Sequence, residues 1–139
     1  IYMPDMKYGS SKAGLQCSRV RSYTAVNRAA VREMHRQVGD LVLDDRGLAR
    51  RGLLVRHLVL PGDLAGTGKV LKFLADEISR QTYVNIMDQY HPSHRAAQHT
   101  PLDRRVTHLE LQHAQALARR YGLGRLEPQR GWRPVPAVL

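Results

Sequence analysis

The stretch Leu53–Leu60, LLVRHLVL, closed by Pro61-Gly62, decides the fold. It is short and nearly all apolar, and Pro61-Gly62 stops it abruptly. A short run that is apolar on both faces is the profile of a strand in a parallel sheet. Arg56 breaks that profile. A guanidinium inside an apolar strand is costly without an anionic partner. Its readings are an ion pair with Asp5 or Asp88, or a clamp on a ligand carboxylate. His57 has the opposite strand parity and is expected to pack against a helix.

Downstream, Thr67 is expected to N-cap a helix carrying Val70, Leu71, Leu74 and Ile78 on one face. Thr82–Met87, TYVNIM, is a second β-rich run that leads into the polar loop Asp88–Pro92. Thr107 and Glu110 match a capping box, and the helix behind them is expected to reach about Tyr121, with Gly122 as its stop signal. Gln129–Leu139 reads as a loose tail, so the chain divides into residues 1–127 and a basic, Pro-containing tail at 128–139.

Upstream, Leu41–Leu43 and Leu48–Arg51 flank the turn Asp44–Gly47 and read as a β-hairpin. Tyr23–Val38 reads as a helix with Val26, Ala30, Met34 and Val38 in its apolar stripe, Arg28, Arg32 and Arg36 facing water, and Gly39 as C-cap. Lys7–Ser22 reads as a polar loop. Ile1–Met3 is a strand stub ended by Pro4, with the look of an element cut mid-way. Strands alternating with helices give an α/β fold with a parallel sheet. Three parallel strands cannot close a barrel, so an exposed edge and face, marginal folding and a larger parent are expected.

The chain has 139 residues and a formal charge of +10, with 42% hydrophobic and 24% charged residues. That composition is globular. No apolar run is long enough to span a membrane and no signal peptide is readable, so a cytoplasmic location is expected. Cys17 is the single cysteine, which excludes an intrachain disulfide and a self-contained iron–sulfur or Cys-rich zinc site. It reads as an ordinary free thiol. The basic excess fits either a nucleic-acid partner or an Arg-rich surface. The arginines are spread along the chain without a recognition motif, so no nucleic-acid partner is expected.

Ligands of parallel α/β folds bind at the C-terminal ends of the strands. Three such ends are readable. They carry Asp5 and Lys7; Arg56 and His57; and Asn85, Asp88, Gln89, Tyr90 and His91. Together they offer carboxylates, cations and hydrogen-bonding groups suited to a ligand with both charges. On spacing alone, Asp5 and Lys7 read equally well as a solvated turn. His91 and His94 form an H-x-x-H pair without the helical Glu of a metalloprotease motif, so hydrogen bonding is the expected role and no metal site is assigned. His108 and His113 are expected at the surface.

Four strings, IYMPDMKY (1–8), NRAAVREMHRQVGDL (27–41), RRGLLVRHLVLPG (50–62) and YVNIMDQYHPSHRA (83–96), resemble in order and approximate spacing a family of radical S-adenosylmethionine (SAM) proteins similar to the pyruvate formate-lyase activating enzyme. The resemblance implies the C-terminal portion of a partial (β/α) barrel of radical SAM type, with the hairpin as an insertion. It implies an oxidoreductase that cleaves SAM reductively at a [4Fe–4S] cluster and passes a radical to a substrate. For the activating enzymes that substrate is a glycine of a partner enzyme. A glycyl radical enzyme or other protein substrate, and an electron donor such as flavodoxin or ferredoxin, are the implied partners. Carried over by position, Asp5 and Lys7 match a D-x-K strand-end motif, Arg56 an arginine near SAM, and His91 a histidine at the SAM site. Asn85, Asp88 and Gln89 are possible supporting groups.

Two departures stand out. The chain has no CxxxCxxC cluster motif, and Cys17 lies outside any such context. Ser93 stands where many relatives are expected to carry cysteine. The parent is therefore read as the enzyme and this portion alone as inactive. The rival readings are a basic nucleic-acid-binding module and an inactive remnant.

Overall fold

A computed structural model describes residues 1–128. The expected tail therefore lies almost wholly outside the described residues. The α-helices are α1 (Ser11–Ser18), α2 (Tyr23–Val38), α3 (Thr67–Phe73), which continues as a π-helical turn over Leu74–Ile78, and α4 (His108–Arg120). The strands are β1 (Val42–Leu43), β2 (Ala49–Arg51), β3 (Leu54–Leu58) and β4 (Tyr83–Met87). The fold is mixed α/β.

LLVRHLVL forms β3, which pairs in parallel with β4 from Leu54↔Tyr83 to Leu58↔Met87. On the other edge of β3 the N-terminal segment runs parallel through Tyr2↔Leu53 and Asp5↔Arg56. Arg56 N–H donates to Pro4 O at 2.9 Å, and Met6 N–H donates to Arg56 O at 2.8 Å. Beyond β4, residues 125–127 add a fourth parallel path at Val84↔Leu126, with Val84 N–H donating to Arg125 O at 3.0 Å. The four paths lie side by side in chain order, with helices in every crossover. Among the described residues the array does not close on itself.

Alternation along the strands sorts the two faces. Val55 and His57 of β3 and Val84 and Ile86 of β4 are buried. They share a core with Val31 of α2, Val70 and Leu71 of α3, and Leu111, Ala114 and Ala118 of α4. Leu54, Arg56, Leu58, Tyr83, Asn85 and Met87 face the other way and are only half-buried. The helices thus cover one face of the sheet.

The hairpin forms as β1 against β2, and Asp44 Oδ1 accepts from Arg46 N–H at 3.0 Å and Leu48 N–H at 2.8 Å. Helix α2 has the expected bounds, with Gly39 N–H closing on His35 O at 2.7 Å. At α4 the capping box is complete, Thr107 Oγ1 accepting from Glu110 N–H at 3.2 Å and Glu110 Oε2 from Thr107 N–H at 2.8 Å.

Four expectations are corrected. Part of Lys7–Ser22 is helical: Ser10 caps α1 through Ala13 N–H, and Arg19 ends it in the left-handed region at φ 59°. Gly14 is required there, because a Cβ would lie 2.7 Å from Tyr23 Cβ. Val26 is 67% exposed and lies off the buried stripe of α2, which instead runs through Asn27, Val31, Met34 and Val38. Arg28 and Arg32 do not simply face water, since their guanidiniums sit 4.9 and 5.2 Å from the centre of the Phe73 ring. Thr67 is the first helical residue of α3 rather than its cap; Asp63 Oδ1 accepts from its N–H at 2.9 Å, which frees the Thr67 hydroxyl for the core.

Candidate functional site

The register places Asp5, Arg56 and Asn85 in one row across three neighbouring parallel paths. Residues paired side by side in a ladder stand on the same face, and here it is the face without helices. Arg56 Nε donates to Asp5 Oδ1 at 2.7 Å, and Lys7 Nζ lies 3.9 Å from Asp5 Oδ2. The side chains of Arg56, Asp5 and Lys7 are 38%, 32% and 53% exposed. Solvent reaches the pair, so its net contribution to stability is small, of order 0–1 kcal/mol. Arg56 retains guanidinium N–H groups beyond the one given to Asp5.

These groups surround a hollow of about 200 Å³ lined by Asp5, Lys7, Arg56, Leu58, Met87 and Gln89. It lies at the C-terminal ends of the strands. Of the expected site residues, Asp5, Lys7, Arg56 and Gln89 are brought together, and Asn85 stands in the same row. Asp88 and His91 are exposed on the loop after β4 and do not line the hollow. That loop is anchored at Tyr90, whose hydroxyl donates to Leu102 O at 2.8 Å.

Two side chains that sequence reasoning did not assign to the site, Tyr23 and Asn27, and one that it placed at a strand end, His57, hold the backbone beneath it. Tyr23 Oη accepts from Lys7 N–H at 2.8 Å. Asn27 Nδ2 donates to Asp5 O at 3.1 Å, while its Oδ1 is buried and unbonded. His57 is fully buried, with Nδ1 2.6 Å from Met6 O and Nε2 2.9 Å from Thr67 Oγ1. A carbonyl only accepts, so Nδ1 carries the proton and Nε2 accepts from the threonine hydroxyl. Burial pushes this imidazole below its ordinary pKa. The expectation that His57 packs against a helix is met at the start of α3. The readable signal for Asn27 was a polar residue within the i, i+4, i+7 stripe of α2.

Cys17 packs, half-buried, against the cluster of Tyr8, Leu60 and Ala65, and burial raises its pKa. Among the described residues no group of three or more His, Cys, Asp or Glu is placed to hold a metal ion. A [4Fe–4S] cluster needs several thiolates, and one cysteine does not fit it. An amino-acid zwitterion fits better, since Asp5 offers an anion and Lys7 and Arg56 offer cations around one hollow.

No protein-family model matches the chain. It is similar to a curated relative, "Uncharacterized protein MJ0674" of Methanocaldococcus jannaschii, at 28% identity over 124 residues, 88% of this chain and 32% of the relative. The chain therefore spans about a third of the length of that relative. No solved structure matches.

Proposed function

We propose that the chain is the C-terminal portion of a radical SAM enzyme related to glycyl-radical-enzyme activases, and that its strand ends hold the amino-acid end of SAM. The observation that carries this reading is the Asp5–Arg56 pair with Lys7 and Gln89 around one hollow at the ends of parallel paths laid in chain order. That order suits a portion of a partial (β/α) barrel. The share of the relative that the chain matches leaves length for further structure in a protein of that kind.

Asp5 takes the SAM ammonium, and Arg56 and Lys7 take its carboxylate. Gln89 supplies a further amide and Asn85 is a supporting group in the same row, while Asp88 and His91 belong to this reading only as groups on the adjoining loop. The hollow is smaller than the ~300 Å³ at the low end of organic-ligand sites, so this face supplies one side of the pocket. When bound with its cluster, SAM is the source of the radical. The residues described here bind and orient it, and the cluster ligands belong to the parent outside this chain. A glycyl radical enzyme or other protein is the substrate in this reading, with flavodoxin or ferredoxin as electron donor.

Among the described residues no helix is long and apolar enough to cross a membrane. A cytoplasmic setting is part of this proposal. The direct test of the family assignment is the coding DNA upstream of Ile1. An in-frame CxxxCxxC segment is expected there, and a stop codon without one would leave an inactive remnant in its place.

A further inference from the structure

A second cavity, of about 340 Å³, lies between the end of β3 and α4. Its apolar lining is Val59, Leu60 and Ala114, at 3%, 6% and 2% exposure, together with the exposed Leu109, and the exposed His113 also lines it. Glu110 ties α4 to the turn after β3 by accepting from Gly62 N–H at 2.7 Å, and it is itself held by Arg104 through two bonds of 2.9 Å. The Thr67 hydroxyl, also in the lining, is engaged by His57. Both groups are therefore already satisfied.

Asp63 differs. Its Oδ1 accepts from Thr67 N–H at 2.9 Å, and among the described residues no Lys, Arg or His forms an ion pair with its carboxylate. Its backbone sits at φ 52°, a left-handed conformation that aspartate tolerates better than most residues. The result is a solvent-exposed carboxylate with no ion pair among the described residues, on the rim of a largely apolar cavity whose other titratable lining groups are Glu110 and His113. Charge complementarity selects a cation, and the apolar lining selects a hydrocarbon body. The volume falls near the lower end of the ~300–1,000 Å³ range of small-molecule sites.

We propose that this cavity binds a small organic ammonium with an apolar body, the ammonium on Asp63 and the body against Val59, Leu60 and Ala114. The site is separate from the Asp5–Arg56 row and does not depend on the SAM reading.

The test is titration of the full 139-residue chain with phenethylammonium and with its neutral analogue 2-phenylethanol, followed by amide NMR. Saturable shifts at Val59, Leu60 and Ala114 are expected for the ammonium, with the alcohol about tenfold weaker, as suits loss of one charge-assisted hydrogen bond. Asp63→Asn keeps an oxygen for Thr67 N–H and tolerates the left-handed backbone, so it should fold and bring the ammonium to the affinity of the alcohol. Equal affinity of the two probes for the native chain, shifts elsewhere in the fold, or no saturable shift with either probe would each overturn the proposal.

Discussion

Arg56 and Asp5 stand side by side in the parallel sheet, where the backbone of Arg56 bonds to Pro4 and Met6 on either side of Asp5, and Arg56 Nε donates to Asp5 Oδ1 at 2.7 Å across 51 residues of chain. The neighbouring residues repeat the link on the other face, where His57 Nδ1 reaches Met6 O at 2.6 Å. Two consecutive residues of β3 thus grip two consecutive residues of the N-terminal path from opposite sides. The exposed grip faces the hollow, and the buried one fixes the backbone that carries it. Breaking the exposed pair with Arg56→Met should cost no more than about 1 kcal/mol in urea unfolding. A loss of several kcal/mol would make the pair structural first.

The buried grip should behave differently. His57→Leu leaves Met6 O and the Thr67 hydroxyl without their partner in the core, and a cost of about 2–4 kcal/mol is expected. A loss below about 1 kcal/mol would mean the two groups find other partners. The same residue sets a pH dependence. Its folded pKa is lowered, so near neutrality folded and unfolded chains both hold it uncharged and its contribution is complete. As pH falls below about 6.5 the unfolded chain takes up the proton first, and stability drops until the folded pKa is reached. Melting followed from pH 7.5 downward should show this loss in the native chain, and His57→Gln should flatten it.

The capping box offers a calibrated comparison. Thr107→Ala removes one cap and should cost about 1 kcal/mol. Glu110→Ala should cost more, because it also releases Gly62 N–H and Arg104. Bonds from Arg104 hold the Glu110 carboxyl well below the usual carboxylate range. Its contribution is therefore present above the ordinary carboxylate pKa and fades as acid protonates it. Paired thermal melts at pH 7 and pH 3 should show the gap between the two variants narrowing at the lower pH.

At Gly52 the backbone has φ 111°, and a Cβ would lie 2.3 Å from Asp40 O. Both strain and collision fall on backbone that cannot yield cheaply. Gly52→Ala should lower stability by more than about 2 kcal/mol, read by urea unfolding. A neutral substitution would mean that the chain entering β3 is displaced from this path.

Much of the order of elements was legible because it rests on local pattern. LLVRHLVL and TYVNIM gave β3 and β4 through composition and length, and the Thr107/Glu110 spacing set the start of α4. Arg56 announced its own need for an anion, and Asp5 was one of the two partners named. What was missed depends on contacts distant in sequence. The apolar stripe of α2 was counted in steps of four, but each such step overshoots a full turn by about 40°, so Val26 drifts off the face that Val31 and Val38 share. Helix α1 is largely polar and is held by Gly14 against Tyr23, a contact no local pattern encodes. The path at 125–127 exists only because the end of α4 delivers it beside β4. Asn27 showed in the sequence only as a polar residue within the stripe of α2, and Tyr23 becomes visible as a support only once α2 lies under the N-terminal path.

The most direct measurement is SAM titration of the polypeptide encoded together with the DNA upstream of Ile1, in which the proposal expects the cluster segment, compared with its Arg56→Ala and Asp5→Asn variants. The SAM reading predicts saturable binding that falls at least tenfold in each variant while the melting temperature of each stays close to that of the unaltered parent. Unchanged SAM affinity in both variants would contradict it.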